Sequence, residues 1–390
     1  MTTALVRTIA EEALGHSLPH RRMEDWRWTD LRQMIDKPYP PRQQVTEDVG
    51  EVERLLKASL FHGIAATRMV FVNGAYDAAH SRRANEALAF RAEATEPVQM
   101  MNAAFATDGA HVTLSGNADT PLELVLISTD AAPRTVATRN LIEVEAGASA
   151  TIIETHIGEG SYLANSVTEI RIGEGARLDR VKVELEAREA IHLAHAHVTL
   201  AANVTFRDFT LTSGAKLNRQ NGTYTFLGEG TDAKISGAYL LAGKQHADSR
   251  LVVDHRVPNC ASRELFKCVM DDHARGIFQG KVIVQPHAQK TDGKQSSHAL
   301  LLSETAEFDA KPELEIYADD VACGHGATSG DLNHDHVFYL KSRGIPEAEA
   351  KAMLIAAFVG EAFEMVAHDG IREALGDYAA RWLTEHRRAG

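Results

Sequence analysis

Cys323 and His325 are the residues whose types and spacing most directly suggest chemistry in this sequence. They lie two positions apart in the segment CGHGATSG, among small neighbours and shortly after Asp319 and Asp320. On a strand, residues two positions apart point to the same side. A thiolate and an imidazole are both ligands for soft or borderline metals. The segment therefore predicts an accessible site for a metal ion or a sulfur species, where the two aspartates either favour cation entry or form a solvated edge.

The residue types leave three kinds of chemistry open at this segment. Cys323 and His325 supply two ligands, whereas a closed zinc site needs four, and His334 and His336 would complete such a set. A neighbouring imidazolium would alternatively lower the pKa of the Cys323 thiol and produce a nucleophile. A shared metal or sulfur species, a zinc clip and a Cys–His nucleophile remain alternatives at this point.

Composition and charge exclude several classes of protein. The chain has 390 residues, 44% of them hydrophobic, and a formal net charge of −13. An acidic chain is poorly suited to bind nucleic acid. The apolar run at 352–360 is less than half as long as a membrane span, so we expect no membrane partner. Three cysteines and the lack of a secretion-signal pattern at the N-terminus favour a reducing, cytoplasmic location.

Motifs of common enzymes are missing from the sequence. It contains no GxxxxGK[ST], HExxH or GxSxG pattern. The segment GEGTDA, at 228–233, fits a loose dinucleotide-binding pattern but lies among predicted strands instead of before a helix. We therefore expect no hydrolysis of ATP or GTP by this chain itself.

A repeat of about 28 residues runs through the middle of the chain and must position the Cys–His segment. The turn residues of the repeat are Gly147, Gly175, Asn203 and Gly230, and they are separated by 28, 28 and 27 positions. All four residues that lie three positions after these turns are apolar. Of the four residues that lie six positions after them, three are apolar. A short period with turns in register is typical of stacked coils that build a shared core. The repeat favours a β-helix, with a β-sandwich as the alternative.

Helical patterns flank this repeat on both sides. TALVRTIAEEALG and the segment 45–61 have apolar residues at helical spacing, and the segment 68–76 is predicted to be a strand that ends in an Asn-Gly turn. Pro346 begins one C-terminal helical pattern, and IREALGDYAARWLTEHRR forms a second. We expect a mostly helical N-terminal domain at 1–98, a β-helix core at 99–336 and a C-terminal helical domain at 337–390.

Several segments together resemble the SufB/SufD family of iron–sulfur cluster assembly scaffolds. The resemblance is carried by EDWRWTDL, AQKTDGKQSSHALLLSETAEFDAKPELEIYADD, KPELEIYADDVACGHGAT and FYLKSRGIPEAEAKAMLIAAFVGE. It covers essentially the whole chain and is closest to the SufD branch. Gly326 stands where SufB proteins usually carry a glutamate.

The resemblance implies a fold, partners and a site. The fold would be mainly β, a right-handed parallel β-helix between two helical domains. The chain would pair with a SufB-like subunit through the β-helix edges and hold a SufC-like ATPase through its C-terminal helices. His325, with Cys323 beside it, would contribute a ligand to a transient iron–sulfur cluster, or to iron, at the subunit interface. No cofactor would be tightly bound to the isolated chain.

The resemblance further implies a non-enzymatic scaffold subunit that supports iron acquisition. Apolar residues of the first C-terminal helix would contact the ATPase, namely Pro346, Met353, Leu354, Phe358 and Phe363. Whether the isolated chain forms a homodimer is open. The alternatives from other classes are a β-solenoid with a structural zinc clip and a β-helix polysaccharide-active enzyme.

Overall fold

Strands account for most of the chain between residues 67 and 330 in the computed structural model, which describes residues 18–37, 39–41, 49–86, 94–129 and 133–386. The strands are β1 (Thr67–Val72), β2 (Ala75–Tyr76), β3 (His111–Leu114), β4 (Leu122–Ser128), β5 (Thr135–Val144), β6 (Ser149–Gly158), β7 (Leu163–Ile172), β8 (Arg177–Leu185), β9 (Ile191–Leu200), β10 (Thr205–Thr212), β11 (Leu217–Phe226), β12 (Asp232–Leu241), β13 (His246–His255), β14 (Ala261–Met270), β15 (Arg275–Val284), β16 (Asp292–Leu301), β17 (Glu307–Ile316) and β18 (Gly324–Gly330). The helices are α1 (Leu31–Met34), α2 (Val49–Ala58), α3 (Pro97–Phe105), α4 (His334–Ser342), α5 (Glu347–Phe363) and α6 (Asp369–His386).

From β3 onward, successive strands alternate between two sheets. The first sheet has the order β18-β16-β14-β12-β10-β8-β6-β4-β1-β2, and the second has the order β17-β15-β13-β11-β9-β7-β5-β3. Paired strands in both sheets are parallel, apart from the antiparallel pair of β1 and β2. Each coil therefore gives one strand to each sheet, and the predicted parallel β-solenoid is confirmed.

The predicted repeat corresponds to the coils of this solenoid. The turn residues all have positive φ, with values of 70° at Gly147 and 57° at Asn203, a conformation that glycine and asparagine adopt more readily than other residues. The residues three positions after the turns are direct partners across neighbouring strands, namely Ala150, Leu178, Phe206 and Ala233. They lie in the core between the two sheets.

The residues six positions after the turns point outward, because side chains three apart on a strand lie on opposite faces. Ile153, Val181 and Phe209 belong to a second apolar cluster, which α5 and α6 cover. Burial on both faces explains why these strands show continuous apolar character at many positions.

The N-terminal part contains less helix than its sequence pattern predicts. Between residues 18 and 65, the described helices are a 3-10 turn at Glu24–Trp26, α1 and α2. The segment 45–61 is helical from Val49 to Ala58, whereas the TALVRTIAEEALG pattern lies outside the described residues. Trp26 is 1% exposed and packs with α3 residues against the outer face of the second sheet.

The predicted strand at 68–76 is the pair β1 and β2, joined at Asn73 and Gly74. Because β1 pairs with β4, it extends the first sheet of the solenoid. The division of the chain at residues 98 and 336 remains a proposal.

The C-terminal helices begin and end close to their predicted positions. Pro346 is the N-cap of α5, and Glu347 and Glu349 lie in its first turn. α5 packs on β12 and β14 of the first sheet, and α6 packs against α5. Across the described parts of the chain, no helix has both the length and the apolar character needed to span a membrane.

Candidate functional site

The candidate site lies at one end of the solenoid, which we call the open end and define by β17 and β18. Each of these strands is the last in its sheet, and no described strand pairs with its outer edge. An unpaired edge presents free backbone N–H and C=O groups. The open end is thus able to accept a further strand or another subunit.

Strand register places His325 on the interior-facing side of β18. His325 is the partner of Gln295 in β16, and Gln295 is the partner of Glu264 in β14. Gln295 and Glu264 are buried inside the solenoid, where the Gln295 amide donates a hydrogen bond of 3.1 Å to Glu264 Oε2. Partnered residues of parallel strands share a face. His325 therefore ends a row of interior side chains, and it is exposed because no further coil covers it.

Cys323 lies on the same side as His325, immediately before β18. It is half-buried and packs against the core between the sheets. A Cβ atom at Gly293 would lie 3.4 Å from its Sγ, so the glycine leaves the thiol little more than van der Waals room. The sequence prediction that Cys323 and His325 face the same way is consistent with this strand geometry.

The environment of Cys323 does not favour a nucleophile. Burial raises the pKa of the Cys323 thiol, and the Asp292 carboxylate acts in the same direction. A nucleophilic cysteine needs the opposite shift. As a ligand, by contrast, a thiol loses its proton when a metal binds, so the site fits metal or cluster ligation better.

The zinc clip predicted as an alternative does not assemble. His334 and His336 lie in the exposed first turn of α4. Within the described ranges, the only group of three or more ligand side chains close enough to hold a metal ion is His156, Glu186 and His192. Cys323 and His325 are therefore not joined by the other two histidines.

The two aspartates before the site differ in their surroundings. Asp320 forms an ion pair with Lys290, and its backbone N–H donates to Gln289 Oε1 at 2.9 Å. Asp319 is exposed. Since a lysine compensates one of the two charges, their arrangement resembles a solvated edge more than a strong cation-attracting pair.

The five residues proposed for ATPase contact differ in accessibility. Met353 is 47% exposed and Pro346 is exposed at the start of α5. Leu354 and Phe358 are half-buried, and Phe358 lies beneath the Lys267 ammonium, 4.6 Å from its ring centre. Phe363 is 4% exposed and contacts Phe209 edge-on, with ring centres 5.6 Å apart, so it holds α5 against the solenoid.

Two further exposed aromatic residues next to α5 were missed by the sequence reasoning. Phe338 and Tyr339 of α4 are 73% and 57% exposed. The available signal in the sequence was the run of four apolar residues VFYL at 337–340, because a helix on a surface buries only one side of such a run. In the structure, only Val337 of the four is buried. We call these two residues and Met353, all exposed on neighbouring helices, the docking face.

Comparison with known proteins identifies the family. Residues 126–358 match the family described as "SUF system FeS cluster assembly, SufBD core domain". An iron–sulfur cluster assembly SufBD family protein of Synechocystis sp. is 31% identical over 92% of this chain and 86% of its own length. The iron–sulfur cluster assembly protein SufD of Escherichia coli is 29% identical over 93% of this chain and 89% of its own.

These matches cover the solenoid, the open end and most of α5. The chain belongs to the SufBD family of iron–sulfur cluster assembly proteins.

Proposed function

We propose that this chain is a SufD-like, non-enzymatic scaffold subunit that contributes His325, with Cys323 beside it, to a site where an iron–sulfur cluster is built. The cluster or its iron is the cargo of the site. A SufB-like subunit pairs with the open end and supplies the remaining ligands. A SufC-like ATPase binds the docking face and supplies ATP hydrolysis, and the complex acts in the cytoplasm.

The position of His325 is the observation that carries this proposal. It is exposed on the interior-facing side of an edge strand, in line with buried residues of the two preceding coils. A partner that continued the stack would cover it and bring its own ligands close. A cluster held by mixed ligands from two subunits is easier to release than one in a closed cage of four cysteines.

The test is anaerobic cluster reconstitution in the complex with the SufB-like and SufC-like partners. His325→Ala should leave the assembly of the three subunits unchanged and abolish the cluster absorbance, because the variant removes a ligand without disturbing the packed core. Cys323→Ser should reduce the absorbance without dissociating the complex.

His334→Ala is the matched control, since His334 is an exposed histidine close in the chain but outside the interior-facing row. Cluster formation should survive this change. Full cluster yield in His325→Ala would remove this residue from the site, and loss of cluster in His334→Ala would contradict the assignment of the site to the interior-facing row. Membership of the SufBD family favours the scaffold over a polysaccharide-active enzyme.

A further inference from the structure

A buried group of ionisable side chains lies inside the solenoid, away from the open end. It consists of Glu154, His156, Lys182, Glu184, Glu186 and His192, each of them at most 5% exposed. The interior is apolar at the start of β6 and β8, at Ile152 and Leu178, and becomes polar further along both strands. β18 is five strand positions from β8, which corresponds to about 24 Å. This group is therefore separate from Cys323 and His325.

Three of these side chains bring ligand atoms together. One ligand atom each from His156, Glu186 and His192 lies within 4.8 Å of the other two. His192 Nδ1 is 2.7 Å from Glu186 Oε1. The two imidazole rings are nearly perpendicular, with centres 4.7 Å apart. Two imidazoles and one carboxylate are a common set of protein ligands for Zn²⁺ and Fe²⁺.

Both histidines have a carboxylate on their other nitrogen. His156 Nε2 is 2.7 Å from Glu154 Oε1, and His192 Nε2 is 2.9 Å from Glu184 Oε1. A carboxylate that accepts from one ring nitrogen fixes the tautomer and leaves the other nitrogen as a ligand, which is the usual arrangement around metal-binding histidines. The contact of His192 with Glu184 Oε1 is an ion pair and not a hydrogen bond, and the Lys182 ammonium lies 2.6 Å from the same oxygen.

Glu186 has an unsatisfied oxygen atom. Its Oε2 is buried and has no hydrogen-bond partner. A buried carboxylate oxygen without a partner is costly, so this atom calls for a partner that the protein groups around it do not provide. A metal ion bound by Glu186 would satisfy it.

The charges around the group are also unbalanced. Four buried carboxylates face the two fixed cations Arg180 and Lys182, namely Glu154, Glu184, Glu186 and Asp208. A divalent ion held by two neutral imidazoles would compensate the remaining two charges. The competing occupant is a proton: although burial opposes it, Glu186 and Glu184 raise the pKa of His192 to about 9.

We propose that His156, Glu186 and His192 bind a divalent transition-metal ion inside the solenoid, at a site independent of the cluster site at the open end. The ion would join β6, β8 and β9 near the turn that connects β8 to β9. Its role would be structural, because the three ligands are closed off from solvent.

Co²⁺ is the probe for this site, because a bound ion absorbs visible light. The full-length chain is produced in cobalt-supplemented, zinc-limited cells, passed over a chelating resin, and measured for metal content and absorbance. We expect one ion per chain, which Zn²⁺ displaces after denaturation and refolding. The Cys323→Ser, His325→Ala double variant should retain the ion, which separates this site from the proposed cluster site.

Glu186→Gln is the variant of choice, because Glu186 contacts only His192 among the hydrogen bonds of the group. It should lose the ion, whereas Glu264→Gln, which changes another buried interior carboxylate, should keep it. Gel filtration and circular dichroism establish that both variants fold. A wild-type chain that holds no cobalt, or a Glu186→Gln chain that holds as much as wild type, would overturn the proposal. The cobalt content of the wild-type chain tests the proposal even if the variant fails to fold.

Discussion

At the scale of single residues, the same side chain has different roles according to where the solenoid places it. His325 is exposed at the open end, whereas His255 is fully buried at the end of β13. The His255 ring stacks on Phe226, with centres 4.2 Å apart, and its Nε2 is 2.9 Å from Ser262 Oγ. His325 is therefore available to a ligand, and His255 is part of the core.

The burial of His255 predicts a pH dependence of stability. Burial lowers the pKa of His255 to about 4 from its ordinary value of 6.5. Between these values the unfolded chain binds a proton that the folded chain does not, so stability falls as the pH drops from about 6.5 to about 4 and levels off below. The contribution of His255 to this loss is about 3 kcal/mol. Denaturant unfolding across this pH range measures it.

His255→Gln should reduce the slope of this dependence, because glutamine keeps a donor for Ser262 and does not titrate. Part of the slope should remain, since burial also lowers the pKa of His246 to about 4. His334→Ala, which changes an exposed histidine, should leave the slope as in wild type. Equal slopes for wild type and His255→Gln would show that this histidine is already charged in the fold.

The interior polar group shows what sequence patterns fail to reveal. Lys182 and Glu184 alternate with apolar residues in RVKVEL, which is the usual pattern of a strand with one solvated face. In the solenoid both faces of β8 are covered, so these charged residues lie inside the protein. A local pattern cannot distinguish water from a buried partner on the polar side; here Glu184 is compensated by Lys182 of the same strand and by His192 of β9.

At the scale of elements, one side of α5 packs against the solenoid and another side faces solvent. Ile355 and Phe363 are buried against the solenoid, while Met353 faces solvent. The proline start and acidic first turn were predictable because they depend on neighbouring residues. Which apolar residues face a partner was not predictable, since that depends on how the helix is rotated on the sheet.

This division predicts how the ATPase can be detached without harm to the fold. Met353→Glu together with Phe338→Glu should weaken binding of a SufC-like ATPase at least tenfold, because a charge would have to be desolvated in the contact. Calorimetric titration of the purified chain with the ATPase measures the change.

Val49→Glu provides the matched control on α2, where the valine is 59% exposed and lies outside the docking face. It should bind the ATPase as wild type does. Undiminished binding by the double variant would assign α4 and α5 to capping of the solenoid alone.

At the scale of the whole molecule, the fold was predictable from the period of the turn residues. Gly147, Gly175 and Asn203 occur at equal spacing, and the residues three positions after them are partners on neighbouring strands. The end at which the stack stays open could not be derived in this way. It depends on where the chain leaves the sheets, after Gly330, and on helices that cover a face and not the edge.

The open end predicts where the SufB-like subunit binds. Ile316 and Tyr317, at the end of β17, are 41% and 60% exposed. Replacing both with glutamate should prevent co-purification with the SufB-like subunit, because charges would be buried at the centre of the contact. Capture of the SufC-like ATPase should persist, since the docking face is unchanged.

Leu227→Glu is the comparison, because Leu227 is 52% exposed but follows β11 on the side of the stack. This variant should still pair with the SufB-like subunit. If the variant at β17 pairs as well as Leu227→Glu does, the subunit contact lies elsewhere on the solenoid.

The alternation of strands between two sheets also has a consequence for how the chain folds. From β3 onward, each strand pairs with a neighbour about 30 residues away, as Leu178 pairs with Phe206, so these strands form the stack without contacts between distant parts of the chain. In such stacks, order starts in any pair of coils and spreads outward like a zipper. The coil that carries Cys323 and His325 has a neighbour on one side only. Contacts from one side only stabilise this coil less than two neighbours would, so a docked subunit would stabilise the fold of the site as well as complete its chemistry.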